Sequence, residues 1–110
     1  MASDAAIRKH DRFARLGMTE KVIFRPSDGL MTREIDAFVD REGQRDVMSG
    51  KVLGIRLTVL NDEKKGISAA LCDIGLDKID VAERVGGERT PRAMQRFLQQ
   101  DEDYVVIEVL

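Results

Sequence analysis

Tryptophan is absent from the 110 residues, and histidine, cysteine and tyrosine occur once each. The lone cysteine, Cys72, excludes an internal disulfide and suits a reducing compartment. The lone histidine, His10, is the sole imidazole available to any Ser–His or Cys–His nucleophilic pair. With Cys72 far from it in sequence, the usual zinc patterns are excluded. Aromatic residues make up 5% of the chain, so the core must be built from Val, Ile, Leu, Met and Ala. A core this lean is expected to draw part of its stabilisation from self-association. No apolar run approaches the roughly 20 residues that span a bilayer. The opening stretch, MASDAAIRKHDRFARLG, carries acidic residues and no apolar centre, so it reads as no secretory leader. The expectation is a protein made in a cytoplasm, with no membrane partner.

Charge of one sign is also missing. Lys and Arg total 18 against 20 Asp and Glu, a formal net charge of −2, and neither a basic excess nor an acidic tail stands out. No GxxxxGK[ST] or GxGxxG phosphate loop occurs. The length fits one domain, 1–110.

What is present is a short helix followed by strands. Residues 3–16 read as a helix, with Ser3 as N-cap, Asp4 at the positive end and Gly17 as the stop. Its apolar stripe is narrow (Ala6, Phe13 and Leu16, with Ile7 and Ala14 alongside) and its remainder is charged, as expected of a helix laid on a surface. A β-rich body follows over 19–110. KVIFR at 21–25 reads as a strand and PSDG at 26–29 as its turn. Over 30–42, Met31, Ile35, Ala37 and Val39 share one face at period two, with Phe38 breaking the polar face as a contact surface or a second small core. VLGIRLTVL at 52–60 places Leu53, Ile55, Leu57 and Val59 on one face. NDEKKG at 61–66 turns the chain, 67–74 is ambiguous between short helix and strand, and DKIDVA at 77–82 alternates again. Residues 90–99 leave two readings open. Thr90 before Pro91, with Ala93, Met94, Phe97 and Leu98, favours a capped helix locally, whereas a strand would pair in a hairpin with Tyr104–Leu110. The fold class is mainly β: a small β-barrel or sandwich with an N-terminal α-helix, and so α+β.

No constellation for chemistry emerges, and we assign no catalytic, cofactor-binding or metal-binding residue. His10 lies in a charged helix and reads as a solvated residue. Cys72 lies in an apolar run beside Asp73, which would raise its pKa, and reads as a small buried hydrophobe. Asp101, Glu102 and Asp103 lack calcium-loop spacing and read as a solvated turn. Two stretches remain as contact candidates. The polar, glycine-bounded loop at 43–50 offers Gln44, Arg45, Asp46, Val47 and Met48 for docking. Arg84, Arg89, Arg92 and Arg96 form the most basic region of the C-terminal half and could touch phosphate, although Glu83 and Glu88 offset them and no interleaved aromatics offer stacking.

The order of these segments resembles the small head–tail joining proteins of long-tailed bacteriophages and prophages. The resemblance is carried by the charged helix, VIFRPSDG at 22–29, EIDAFVDRE at 34–42, IRLTVLND at 55–62, GLDKIDV at 75–81 and MQRFLQQDEDYVVIEVL at 94–110. It covers roughly residues 5–110, and the chain departs from it in the GGERTPR insertion at 86–92. The resemblance implies a compact β-barrel or sandwich with an N-terminal helix, and strand at 92–99. It also implies a structural, non-enzymatic protein without cofactors. Such a protein forms a homo-oligomeric ring in the virion neck, touches portal, neck or tail proteins, and has a lumen through which DNA could pass. A small β-barrel module binding nucleic acid or peptide is the alternative from the residues alone.

Overall fold

The computed structural model of the chain describes residues 2–27, 29, 31–41 and 54–109. Its elements are a helix α1 (Asp4–Arg15) and six strands: β1 (Glu20–Arg25), β2 (Arg33–Asp40), β3 (Ile55–Leu60), β4 (Lys78–Ala82), β5 (Arg89–Gln100) and β6 (Tyr104–Val109). Every strand neighbour is antiparallel and the order β1-β2-β3-β6-β5-β4 closes on itself through β1 and β4. The fold is therefore a closed six-stranded β-barrel with one N-terminal helix, as the sequence leads one to expect.

Two strands do the bending. β2 pairs with β1 through Arg33–Ala37 and then with β3 through Phe38–Asp40. β5 pairs with β4 through Arg89–Ala93 and with β6 from Met94 onward. Each thus passes from one curved sheet to the other, so barrel and sandwich are two descriptions of the same object. In β5 the change of partner coincides with register shifts between Met94 and Arg96 and between Phe97 and Gln99, the extra residues by which a strand bends.

The interior is filled by alternate residues of β1 to β4 and β6, and by Met94 and Phe97 of β5. Val22 and Phe24 meet Ile35 and Ala37, then Ile55, Leu57 and Val59, then Val105, Ile107 and Val109, with Ile79, Val81 and Met94 closing the ring. No tryptophan is needed because aliphatic side chains of similar length fill the narrow bore. Ile67, fully buried, extends this cluster at one end from the connection between β3 and β4.

The helix begins as its cap predicts: the Ser3 hydroxyl accepts from the Ala6 amide at 3.2 Å. It stops at Gly17, whose φ is 75°. There the amides of Gly17 and Met18 donate back to the carbonyls of Ala14 and Phe13 at 3.1 and 3.0 Å, a glycine-terminated helix end that satisfies the last carbonyls. Its buried face keeps most of the expected stripe, with Ala6 buried and Ile7, Phe13 and Ala14 partly so, but gains His10 and loses Leu16. Ala6 and His10 are buried, whereas Leu16 is 67% exposed. The stripe rotates because the barrel's outer wall offers Phe38, Leu60 and Tyr104 as partners. Phe38 lies 5.5 Å from the His10 ring and 5.6 Å from Phe13, both T-shaped, and so packs against the helix beside a second small core of Ala2, Ala6 and Leu60.

Three other expectations change. The local helix at 90–99 is overruled: β4 and β6 supply hydrogen-bonding partners on both sides, and β5 runs unbroken through Pro91. Residues 67–74 form turns rather than helix or strand. Met31 lies before β2 and is 87% exposed instead of sharing the face of Ile35. Leu53, expected on the face of Ile55, lies outside the described residues, and β3 starts at Ile55.

Candidate functional site

One end of the barrel opens into a cleft of about 580 Å³ between the β1–β2 connection and the segment that follows β3. The segment is placed by its own polar residues. Asp62 Oδ1 accepts from the amides of Lys64 and Lys65, each at 2.9 Å, winding a tight turn that brings Gly66 against the barrel. A Cβ on Gly66 would sit 2.0 Å from the Leu60 carbonyl oxygen, so no other residue fits the approach. The Ile67 amide then donates to that carbonyl at 3.0 Å, pointing Ile67 into the core.

The opposite wall is tied by Asp77. Its Oδ1 accepts from the Ser27 amide at 2.8 Å and its Oδ2 from the Asp73 amide at 2.9 Å, joining the β1–β2 turn to the turn before β4. Burial pushes the Asp77 carboxyl up, but the amides of Ser27 and Asp73 together with the Ser27 hydroxyl and Cys72 thiol outweigh it, leaving the group below its ordinary value. Asp62 is also held below its ordinary value, chiefly by the Lys65 amide. Phe24 and Ile67 form the buried floor of the cleft, and Met31 and Leu71, 87% and 72% exposed, stand at its lip.

Cys72 lines this cleft with its thiol 3.7 Å from Met94 Sδ. Burial first, then the charges of Asp77 and Asp73, push the thiol up to about 12. A thiol held protonated is a poor nucleophile. His10 sits on the other side of the barrel wall, 1% exposed beneath α1, which corrects its reading as a solvated residue. Its Nε2 carries the hydrogen, because its partner at 2.9 Å is the Asp36 carbonyl oxygen, which can only accept. The imidazole thus pins α1 to β2, while Cys72 packs against the interior cluster from the cleft. Among the described residues no group of His, Cys, Asp and Glu is placed to hold a metal ion.

The candidate docking residues Gln44, Arg45, Asp46, Val47 and Met48 lie outside the described residues. The four arginines of the C-terminal half do not converge on one free surface. Arg89 reaches Glu34 at 3.1 Å and Arg96 reaches Glu108 at 3.4 Å. Arg92 pairs in register with the inward-facing Ile79 and donates from Nε to the Val81 carbonyl at 3.1 Å, so it emerges from the opposite side of β5. Arg84 stands in the exposed turn after β4.

A second groove, about 550 Å³, runs between α1 and β1–β2 and is lined by Arg8, Arg12, Arg15 and Lys21 with Asp11 and Asp36. Here the carboxylates are already engaged, Asp36 with Lys21 at 2.6 Å and Asp11 with Lys65 at 3.1 Å. The sequence carried a signal for this row, the i, i+4, i+7 spacing of Arg8, Arg12 and Arg15 that shares one helix face.

Among the described residues no helix is long and apolar enough to cross a membrane. Comparison with protein-family models, with curated proteins and with solved structures gives no match.

Proposed function

We propose that this chain is a structural protein of a bacteriophage or prophage that joins head to tail in the virion neck, acting through contacts between copies of itself and with neighbouring portal, neck or tail proteins. The observation that carries the reading is the barrel-end cleft: its lip presents Met31 and Leu71 to solvent, while amides already occupy both oxygens of Asp77. Apolar side chains held out by a hydrogen-bonded frame suit docking, and a thiol pushed up to about 12 makes Cys72 a poor nucleophile. The barrel with an N-terminal helix is also the architecture implied by the resemblance of VIFRPSDG, EIDAFVDRE and the closing hairpin to neck proteins. The ring, its partners and its place in the virion are part of the proposal.

The test is electron microscopy and sedimentation of the purified full chain, alone and with Met31→Asp and Leu71→Asp introduced together. The expected outcome is closed rings for the native chain and dispersed subunits for the double variant with its circular dichroism unchanged. A native chain that stays monomeric at high micromolar concentration and fails to join heads to tails in a complementation assay would overturn the reading.

A further inference from the structure

The groove flanking α1 has an unusual balance. Arg8, Arg12 and Arg15 are all exposed, and among the described residues no carboxylate pairs with any of them. The carboxylates closest to hand, Asp11 and Asp36, are held by Lys65 and Lys21. Helix-end carbonyls, which often attract arginines in a last turn, are also taken: those of Arg12, Phe13 and Ala14 accept from the amides of Leu16, Met18 and Gly17. Only Arg8 makes a local bond, a long one of 3.4 Å from Nε to the Asp4 carbonyl. Three guanidinium forks therefore face solvent in one row.

We propose that this row binds the phosphate backbone of a nucleic acid without reading its sequence. Arg8 to Arg15 spans about 10 Å along the helix, the rise of roughly three nucleotides of one strand, and the planar fork of arginine matches phosphate oxygens bidentately. The groove is open rather than enclosed and is lined by three arginines in a row, with no free backbone amides from a helix start, so it suits a polymer of phosphates better than a single small anion. Sequence readout has no instrument here, since Phe13, the aromatic nearest the row, is engaged with Phe38. The C-terminal arginines are a poorer candidate because Arg89 and Arg96 are neutralised by Glu34 and Glu108. The inference is independent of the proposed role in the neck.

The formal charge of −2 gives the molecule no general attraction for polyanions, so binding must report the groove. The experiment is fluorescence anisotropy of a labelled duplex of about 20 base pairs titrated with the full chain at several salt concentrations. Three phosphate contacts predict a slope of about −2.7 in log K against log salt, a weakening of about 40-fold between roughly 50 and 200 mM. Each of Arg8→Gln, Arg12→Gln and Arg15→Gln should lower that slope by about 0.9, and the triple variant should lose binding with its thermal midpoint retained. Absence of binding at the lowest salt overturns the proposal, as does a triple variant that binds like the native chain. Competition by polyglutamate as effective as that of unlabelled duplex would mean that the row takes any polyanion. Loss of self-association in the triple variant, with no duplex binding by the native chain, would assign the groove to a second copy of the chain instead.

Discussion

Asn61 holds three parts of the chain together. Its carbonyl accepts from the Ala2 amide and its amide donates to the Asp103 carbonyl, each at 2.8 Å; its side chain donates to the Asp101 carbonyl at 2.9 Å and accepts from the Ala69 amide at 3.1 Å. The entry to α1, the β5–β6 turn and the cleft segment thus meet at one residue, whose side-chain amide offers both a donor and an acceptor. Cys72 illustrates the opposite case, a reactive group made inert by its surroundings. Held near 12, its thiol should react with iodoacetamide at pH 8 roughly a thousandfold more slowly than an unhindered cysteine, and labelling followed by mass spectrometry reads this directly. Labelling at the rate of a free thiol would contradict the packing described for it. The residues were unevenly legible in the sequence. Cys72 beside Asp73 announced a raised pKa. His10 did not announce its burial, because the wall that covers it is assembled from Phe38 and Tyr104, remote in sequence and brought together by the barrel.

At the scale of elements, period-two alternation located β2 to β4, since each keeps one face in the core, whereas β1 read as a strand from the short run KVIFR before its turn. β5 hid its nature because its register shifts break the alternation: Met94 and Phe97 both reach the interior cluster though three residues apart, a spacing that imitates a helix. Non-local pairing with β4 and β6 decided the matter. The segment after β3 was illegible for another reason: its turns are set by backbone amides donating to the side-chain oxygens of Asn61, Asp62 and Asp77, which leaves no periodic trace. Its tightest point is Gly66. Gly66→Ala must push Leu60 or the turn aside, and a loss of about 2–3 kcal/mol or more is expected, measured by urea denaturation. A change below about 0.5 kcal/mol would show that the close approach to the Leu60 carbonyl is not maintained.

For the whole molecule, the carboxylates Asp62 and Asp77 set a pH dependence whose sign can be worked out. Both lie below their ordinary value in the folded chain, so the unfolded chain binds protons first as pH falls. Their contribution is therefore complete above the ordinary carboxylate range and is lost as pH drops through it toward the folded values. Urea midpoints should fall from about pH 5 downward, and Asp62→Asn combined with Asp77→Asn should flatten that fall. A native chain with equal midpoints at neutral and acid pH would exclude the effect.

Closure of the barrel has a consequence for assembly. Because β1 and β4 pair, the barrel closes and each described strand has two neighbours, although β2 and β5 hand over from one neighbour to the other along their length. Among the described residues no whole strand is left as an open edge, the feature through which chains add strands to one another on the way to fibrils. Contacts made by side chains on the barrel's ends and outer wall could then be retuned by point substitution without disturbing the fold.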